Sequence, residues 1–159
     1  MRTVIVYATQ HGTTEKVANM ISELASDSTV LINLRKSHDV NPVDYDRIII
    51  GGSIHAGKIQ KIVRKFCERH MQQLTTKPLG LYLSCLEENE KAITQFETAY
   101  AENHRNHALS CKLTGGEVMI DGMNFIEKFM MKKIGGISES VSKIKEDKIK
   151  ELVSEMGLC

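Results

Sequence analysis

The chain has 159 residues, enough for one domain with a substantial core. Lys plus Arg number 21 and Asp plus Glu 20, so the net charge is +1. That balance argues against a nucleic-acid binder, which carries a basic excess, and against an electron carrier that docks basic reductases through an acidic surface. Cys67, Cys85, Cys111 and Cys159 form no C-x-x-C pair, which fits a reduced, cytoplasmic setting. The chain enters a strand at once, so no signal peptide is expected, and no apolar run is long enough to span a bilayer. No repeat, low-complexity tract or Pro/Gly-rich linker divides it, and residues 1–159 read as a single domain.

Thr3 to Ala8 is short, apolar and β-branched, the pattern of a buried strand. Val17, Met20, Ile21 and Leu24 then recur at helical spacing and predict an amphipathic helix over 14–26. Val30 to Ile32 is a second strand, and the polar stretch from Asn33 to Tyr45, with Pro42, reads as a loop. Ile48 to Ile50 is a third strand, expected to stop at Gly51-Gly52. A helix is predicted over 58–71, a fourth strand over 79–83, a helix over 92–103, a fifth strand over 109–113 and a closing helix over 148–156. Strands alternating with helices imply parallel crossovers, and an α/β sheet with helices on both faces.

Three loops follow the first, third and fourth strands. Thr9-Gln10-His11-Gly12-Thr13-Thr14 joins a strand to a fresh helix N-terminus with small and hydroxyl residues. Backbone N–H groups there face an anion, and the helix dipole favours negative charge. The alternative is a Thr-rich turn that caps the helix. The second loop, Gly51 to Gly57, holds Ser53, Ile54, His55 and Ala56 between glycines that would let a flat ring approach the backbone; otherwise it is a plain strand-to-helix turn. The third, Ser84-Cys85-Leu86-Glu87-Glu88-Asn89, could equally be an ordinary helix start with acidic first-turn residues.

The first loop resembles the T-x-T-G-x-T phosphate loop of flavodoxins, with His11 in place of the middle hydroxyl. Asp44-Tyr45-Asp46 before Ile48-Ile49-Ile50-Gly51 is similar to their Y-D-x-I-I-x-G stretch. Five strands with a loop between the second and third resemble the flavodoxin-like doubly wound fold, of order 2-1-3-4-5, whose ligand sits at the carboxyl ends of the strands. Gly-Gly-Ser-Ile-His-Ala-Gly-Lys is similar to the G-A-S-I-R-Y-G-H stretch of the bacterial flavodoxin-like protoporphyrinogen dehydrogenases. In that family FMN oxidises protoporphyrinogen IX in haem biosynthesis and passes electrons to a membrane quinone. Gly115-Gly116-Glu117, an apolar and basic helix, and Ile134-Gly135-Gly136 look like that family's long insert.

The resemblance implies an FMN site formed by Thr9, Gln10, His11, Gly12, Thr13, Thr14, Ser53, Ile54, His55, Ala56, Gly57, Ser84, Cys85, Leu86, Glu88, Gly115 and Gly116. His55 could move a proton beside the ring or be a loop histidine facing water. Cys85 could line the ring or be a small filler, and His11 could touch the phosphate or lie exposed. No histidine spacing points to a metal. The insert, about 117–137, carries Met123, Phe125, Ile126, Phe129, Met130, Met131 and Ile134 with Lys128, Lys132 and Lys133. Its apolar arc is wider than the ~100° stripe that a core-facing helix needs. It either caps the sheet edge or offers Met123, Phe125, Ile126, Phe129, Met130, Lys132 and Lys133 to an apolar substrate, a quinone or the inner face of the cell membrane.

The expected function is therefore an FMN-dependent dehydrogenase acting on a porphyrinogen, with a quinone or other redox partner and no nucleic acid. A flavodoxin-type electron carrier and an FMN-free binding module are the alternatives, and homo-oligomer formation stays open. The chain has no Trp to stack on a flavin, and its charge is near zero. Both features favour the enzyme over the carrier.

Overall fold

A computed structural model of the chain describes residues 1–118, 124–135 and 140–159. The strands are β1 (Thr3–Tyr7), β2 (Thr29–Asn33), β3 (Arg47–His55), β4 (Lys58–Ile59), β5 (Leu79–Ser84), β6 (Ser110–Leu113), β7 (Glu117–Val118) and β8 (Val141–Ser142). The helices are α1 (Thr13–Leu24), α2 (Lys61–Arg69), α3 (Met71–Leu74), α4 (Asn89–Ala99), α5 (Glu102–His107), α6 (Phe125–Gly135) and α7 (Glu146–Glu155). The main sheet runs β2-β1-β3-β5-β6, all parallel, with β4 folded back antiparallel on the end of β3. Counting only its long strands, this is the predicted order 2-1-3-4-5.

The central strands are apolar without alternation because both sheet faces are covered. Val4, Val6, Ile48 and Ile50 point to one face, under Val63 and Phe66 of α2 and Phe96 of α4. Ile5, Ile49 and Tyr82 point to the other, under Val17 and Ile21 of α1 and Ile149, Leu152 and Val153 of α7. Because the strands are parallel, the loops after β1, β3, β5 and β6 all emerge at one end of the sheet.

Three expectations need correction. β3 does not stop at Gly51-Gly52; it runs through both glycines to His55. The helix expected from Lys58 begins at Lys61, because Lys58-Ile59 is β4, and it breaks near His70 into α2 and α3. The helix expected over 92–103 starts at Asn89 and breaks after Ala99, where extended Tyr100 and Ala101 separate α4 from α5.

Gly51 shows why the strand continues. It stands opposite Tyr82 in the sheet register. A Cβ on Gly51 would lie 1.9 Å from Tyr82 Cζ, so the tyrosine ring occupies the missing side chain's place. The Tyr82 hydroxyl passes beneath and donates to the Thr14 carbonyl at 2.9 Å. Gly52 likewise makes room for Ile59 of β4. These two glycines serve the protein's own packing, and only Gly57 among the three in this loop has open space around it.

Candidate functional site

The first loop is built at the start of α1. Gly12 takes φ 93°, a left-handed conformation that turns the chain from β1 into the helix. Thr9 Oγ1 accepts from the Gly12 N–H at 2.8 Å and holds the turn closed. Thr13 is buried and its hydroxyl donates to the Glu117 carbonyl at 3.3 Å. Thr14 is fully buried, yet its Oγ1 has no hydrogen-bond partner within the protein. An orphaned hydroxyl at a helix N-terminus next to a left-handed glycine suits a bound phosphate, which accepts from hydroxyls and backbone N–H groups together. Gln10 and His11 are exposed on the rim.

The second loop is a hairpin. Ala56 and Gly57 take φ 50° and 79° and join His55 to Lys58, its partner across the β3-β4 pair. Two successive positive-φ residues are what a tight hairpin turn demands. Gln60 clamps the hairpin to the sheet. Its Oε1 accepts from Ser53 N at 2.8 Å, and its Nε2 donates to the Ala8 carbonyl at 3.1 Å and to Ser53 Oγ at 2.6 Å. Ser53 Oγ is also 3.0 Å from His55 Nε2. His55 and His11 come together from two loops, their ring centroids 6.2 Å apart. Burial, then the neighbouring His11 and Arg35, push the His55 imidazole below its ordinary pKa, so it stays neutral near pH 7.

The third loop is pinned from the far side. The Cys85 N–H donates to the Gly115 carbonyl at 3.1 Å, and a Cβ on Gly116 would meet the Cys85 carbonyl carbon at 2.9 Å. Gly116 therefore lets the connection after β6 pass directly against Cys85 and Leu86, while Gly115, at φ 73°, leaves room for the Lys143 carbonyl. Cys85 is buried, its Sγ leans on the Glu87 carbonyl at 3.7 Å, and burial raises its pKa, so it is a protonated filler rather than a reactive thiol. Ser84 is buried and its Oγ lies 3.4 Å from Thr114 Oγ1, while Glu88 is exposed at the start of α4.

The insert stands on a two-stranded stalk. β7 pairs antiparallel with β8, and the Lys143 and Lys145 N–H groups donate to the Gly116 and Thr114 carbonyls. Glu117 on the stalk takes Lys16 Nζ at 3.1 Å and Ser142 Oγ at 2.9 Å, so this carboxylate beside the first loop is neutralised locally. Asn124 Oδ1 accepts from the Glu127 N–H and caps α6. Glu127 then reaches His11 Nε2 at 3.4 Å, linking α6 to the rim of the first loop. Ile126, Phe129 and Met130 are 69%, 57% and 51% exposed, and Lys128, Lys132 and Lys133 are exposed beside them. Lys133 Nζ sits 5.8 Å from the centre of the Phe129 ring. Met123 and the side chain of Phe125 lie outside the described residues.

A family model for the flavodoxin domain matches residues 4–144. The chain belongs to the flavodoxin domain family. Protoporphyrinogen IX dehydrogenase (quinone) of Escherichia coli strain K12 is 21% identical to this flavodoxin domain over 142 residues, covering 84% of this chain and 78% of that protein. Among solved structures, rubredoxin oxygen:oxidoreductase from Desulfovibrio gigas superposes with a TM-score of 0.58 at 14% identity, over 99% of this chain and 34% of that one. The domain thus spans about a third of that oxidoreductase. A mutant Fusobacterium nucleatum flavodoxin bound to flavin mononucleotide superposes with a TM-score of 0.52 at 14% identity, over 98% of this chain and 95% of that one. These likenesses show the flavodoxin fold.

Gln60 carries no motif and went unnoticed in the sequence, although it is the side chain that fixes Ser53 and, through it, His55. The nearest sequence signal is Lys58-Ile59 after Ala56-Gly57, a short return strand too brief to stand out. Among the described residues no cluster of three or more His, Cys, Asp or Glu could hold a metal, and no helix is long and apolar enough to cross a membrane.

Proposed function

We propose that this protein is an FMN-dependent dehydrogenase that oxidises a porphyrinogen of the protoporphyrinogen class and delivers the electrons to a quinone. FMN is the cofactor, and its phosphate belongs on Thr9 to Thr14, where the Thr14 hydroxyl awaits a partner. Ser53 to Gly57, Ser84 to Glu88 and Gly115-Gly116 border the flavin ring. When bound, FMN supplies a two-electron acceptor that the quinone can discharge. Ser53 Oγ orients the His55 imidazole through Nε2. Neutral His55 can take a proton from a substrate N–H at the ring face and release it to water.

The observation that carries the enzyme reading over the carrier reading is α6. An exposed apolar face flanked by lysines stands beside the phosphate loop, tied to it through Glu127 and His11. A carrier that hands electrons to a protein partner has no use for such a face. A lipophilic, acidic substrate, a quinone or an anionic membrane surface does. The relative in Escherichia coli bears the corresponding name, which supports the same reading.

The test is anaerobic. Protein reconstituted with FMN is mixed with protoporphyrinogen IX while the oxidised-flavin band at about 450 nm is followed. Rapid bleaching, reversed by a quinone analogue, is the expected outcome. A bound flavin that ignores the porphyrinogen but accepts electrons from a reductase identifies a carrier. Protein that takes up no FMN overturns both.

A further inference from the structure

Beside the hairpin, outside the three loops, lies a groove of about 380 Å³ lined by Arg35, His38, Gln60, Lys61 and Ile62. Its outer wall is the loop after β2, pinned at both ends by the buried Leu34 and Val40 and shaped by the Arg35 N–H donating to Asn33 Oδ1 at 3.0 Å. The anchors are apolar and buried, so Arg35 and His38 are turned outward. The inner wall is the first turn of α2, which contains no acidic residue. Its positive dipole end adds to the charge of Lys61. No carboxylate in the described residues lies within ion-pair distance of Arg35 or Lys61, whereas Lys16, Arg47, Lys112 and Lys148 each have one. Asp39, next to His38, is exposed and is not part of the lining.

The groove is coupled to the redox site by one side chain. Gln60 lines it and at the same time clamps Ser53, which holds His55. Arg35 is close enough for its charge to act on the His55 imidazole. An anionic arm seated between Arg35 and Lys61 would therefore place the body of the same molecule over His55 and the hairpin.

We propose that this groove is the carboxylate-binding subsite of the dehydrogenase: Arg35 and Lys61 hold a carboxylate arm of the substrate while its reacting carbon lies at the hairpin. The proposal rests on the porphyrinogen reading above, since a porphyrinogen carries propionate arms on a large apolar ring. A guanidinium matches a carboxylate with two parallel hydrogen bonds, and an ammonium adds a point charge. No bond is made or broken in the groove; it binds and orients.

The experiment compares Arg35→Gln, Lys61→Gln and the double variant with the wild-type holoprotein. Lys36→Gln, an exposed neighbour outside the groove, is the control. Two readouts are used: steady-state oxidation of protoporphyrinogen IX against its dimethyl ester, and fluorescence titration with the stable dicarboxylic mesoporphyrin against its dimethyl ester. Arg35 and Lys61 are exposed, so the melting temperatures should match wild type and serve as the folding check. Each single variant is expected to raise KM for the acid, and to weaken binding of the dicarboxylic porphyrin, by about tenfold, with more for the double. The ester should be unaffected, and so should Lys36→Gln. Normal turnover with unchanged acid KM in the double variant overturns the subsite and leaves the dehydrogenase standing. No porphyrinogen oxidation by wild type, with charge-dependent porphyrin binding still lost in the variants, overturns the dehydrogenase and leaves the subsite.

Discussion

Helices α1 and α6 are both amphipathic and of nearly equal length, yet they meet opposite fates. Val17, Ala18 and Ile21 of α1 are completely buried against the sheet and α7. Ile126, Phe129 and Met130 of α6 are more than half exposed. The difference lies in the connections. α1 leaves β1 through a short loop and has no choice but to lie on the sheet, whereas α6 lies between the two strands of the β7-β8 stalk and meets the first loop through Glu127 and His11. A hydrophobic stripe thus makes a helix, but the chain's route decides what covers the stripe. Leaving large apolar side chains in water forgoes about 1.5–3 kcal/mol for each. Such a face is kept where a ligand or surface uses it.

The strongest test of that contrast sets Ile21→Ala against a double Ile126→Ser, Phe129→Ser variant. Truncating the fully buried Ile21 should cost about 2–5 kcal/mol in urea unfolding. The double α6 variant should stay within about 0.5 kcal/mol per site while turnover of a lipophilic substrate falls at least about tenfold. If both variants lose comparable stability, α6 is packed and the contrast collapses.

Next in size is Gly51→Ala, which bears on how α1 is seated. The added methyl would fall 1.9 Å from Tyr82 Cζ and displace the ring whose hydroxyl holds the Thr14 carbonyl. We expect a loss of about 1–3 kcal/mol and a melting temperature several degrees lower. A variant as stable as wild type would mean that Tyr82 does not brace the first loop.

The packed side should also respond to acid. His55, His70 and His104 all have pKa values lowered first by burial, His104 with a further contribution from His107 and an opposing one from the Met71 backbone. A histidine whose folded pKa is depressed binds fewer protons folded than unfolded. Stability is therefore full above the ordinary histidine pKa of about 6.5 and falls as the pH drops through the window below it. Melting temperatures measured from pH 7.5 to 5 should decline, and His104→Leu should flatten the decline. A flat profile in wild type would contradict these shifts.

The smallest effect is expected at the contact of Glu127 with His11, between α6 and the first loop. Glu127→Gln alters a partly exposed contact with His11 and should change global stability by less than about 1 kcal/mol. Hydrogen exchange in α6 should nevertheless quicken. Unchanged exchange would show that the stalk alone positions the helix.

Much of the fold was legible because the signals were local. Ile48-Ile49-Ile50 and Leu79 to Leu83 are continuous apolar runs, and such runs become central parallel strands wherever helices cover both faces. The build of the first loop was legible because a strand, a small-residue turn and a helix start lie within a few residues. Gly51 and Gly52 misled because a glycine pair reads as a strand end, while the side chains that fill their space, Tyr82 and Ile59, come from elsewhere in the chain. The β3-β4 hairpin escaped notice because Ala56-Gly57 lacks the Asn-Gly or Asp-Gly signature of such turns.

The sequence by itself determined the parallel α/β sheet, the order of its long strands and the end at which the loops after them gather, because period, β-branching and crossover handedness are properties of short segments. Only the tertiary structure decided that Gln60 clamps Ser53 and His55, that Gly51 belongs to Tyr82, that Arg35 and Lys61 line one groove, and that Ile126, Phe129 and Met130 of α6 stay exposed. Each of these depends on which distant residue arrives at a given place, and no local preference encodes that arrival.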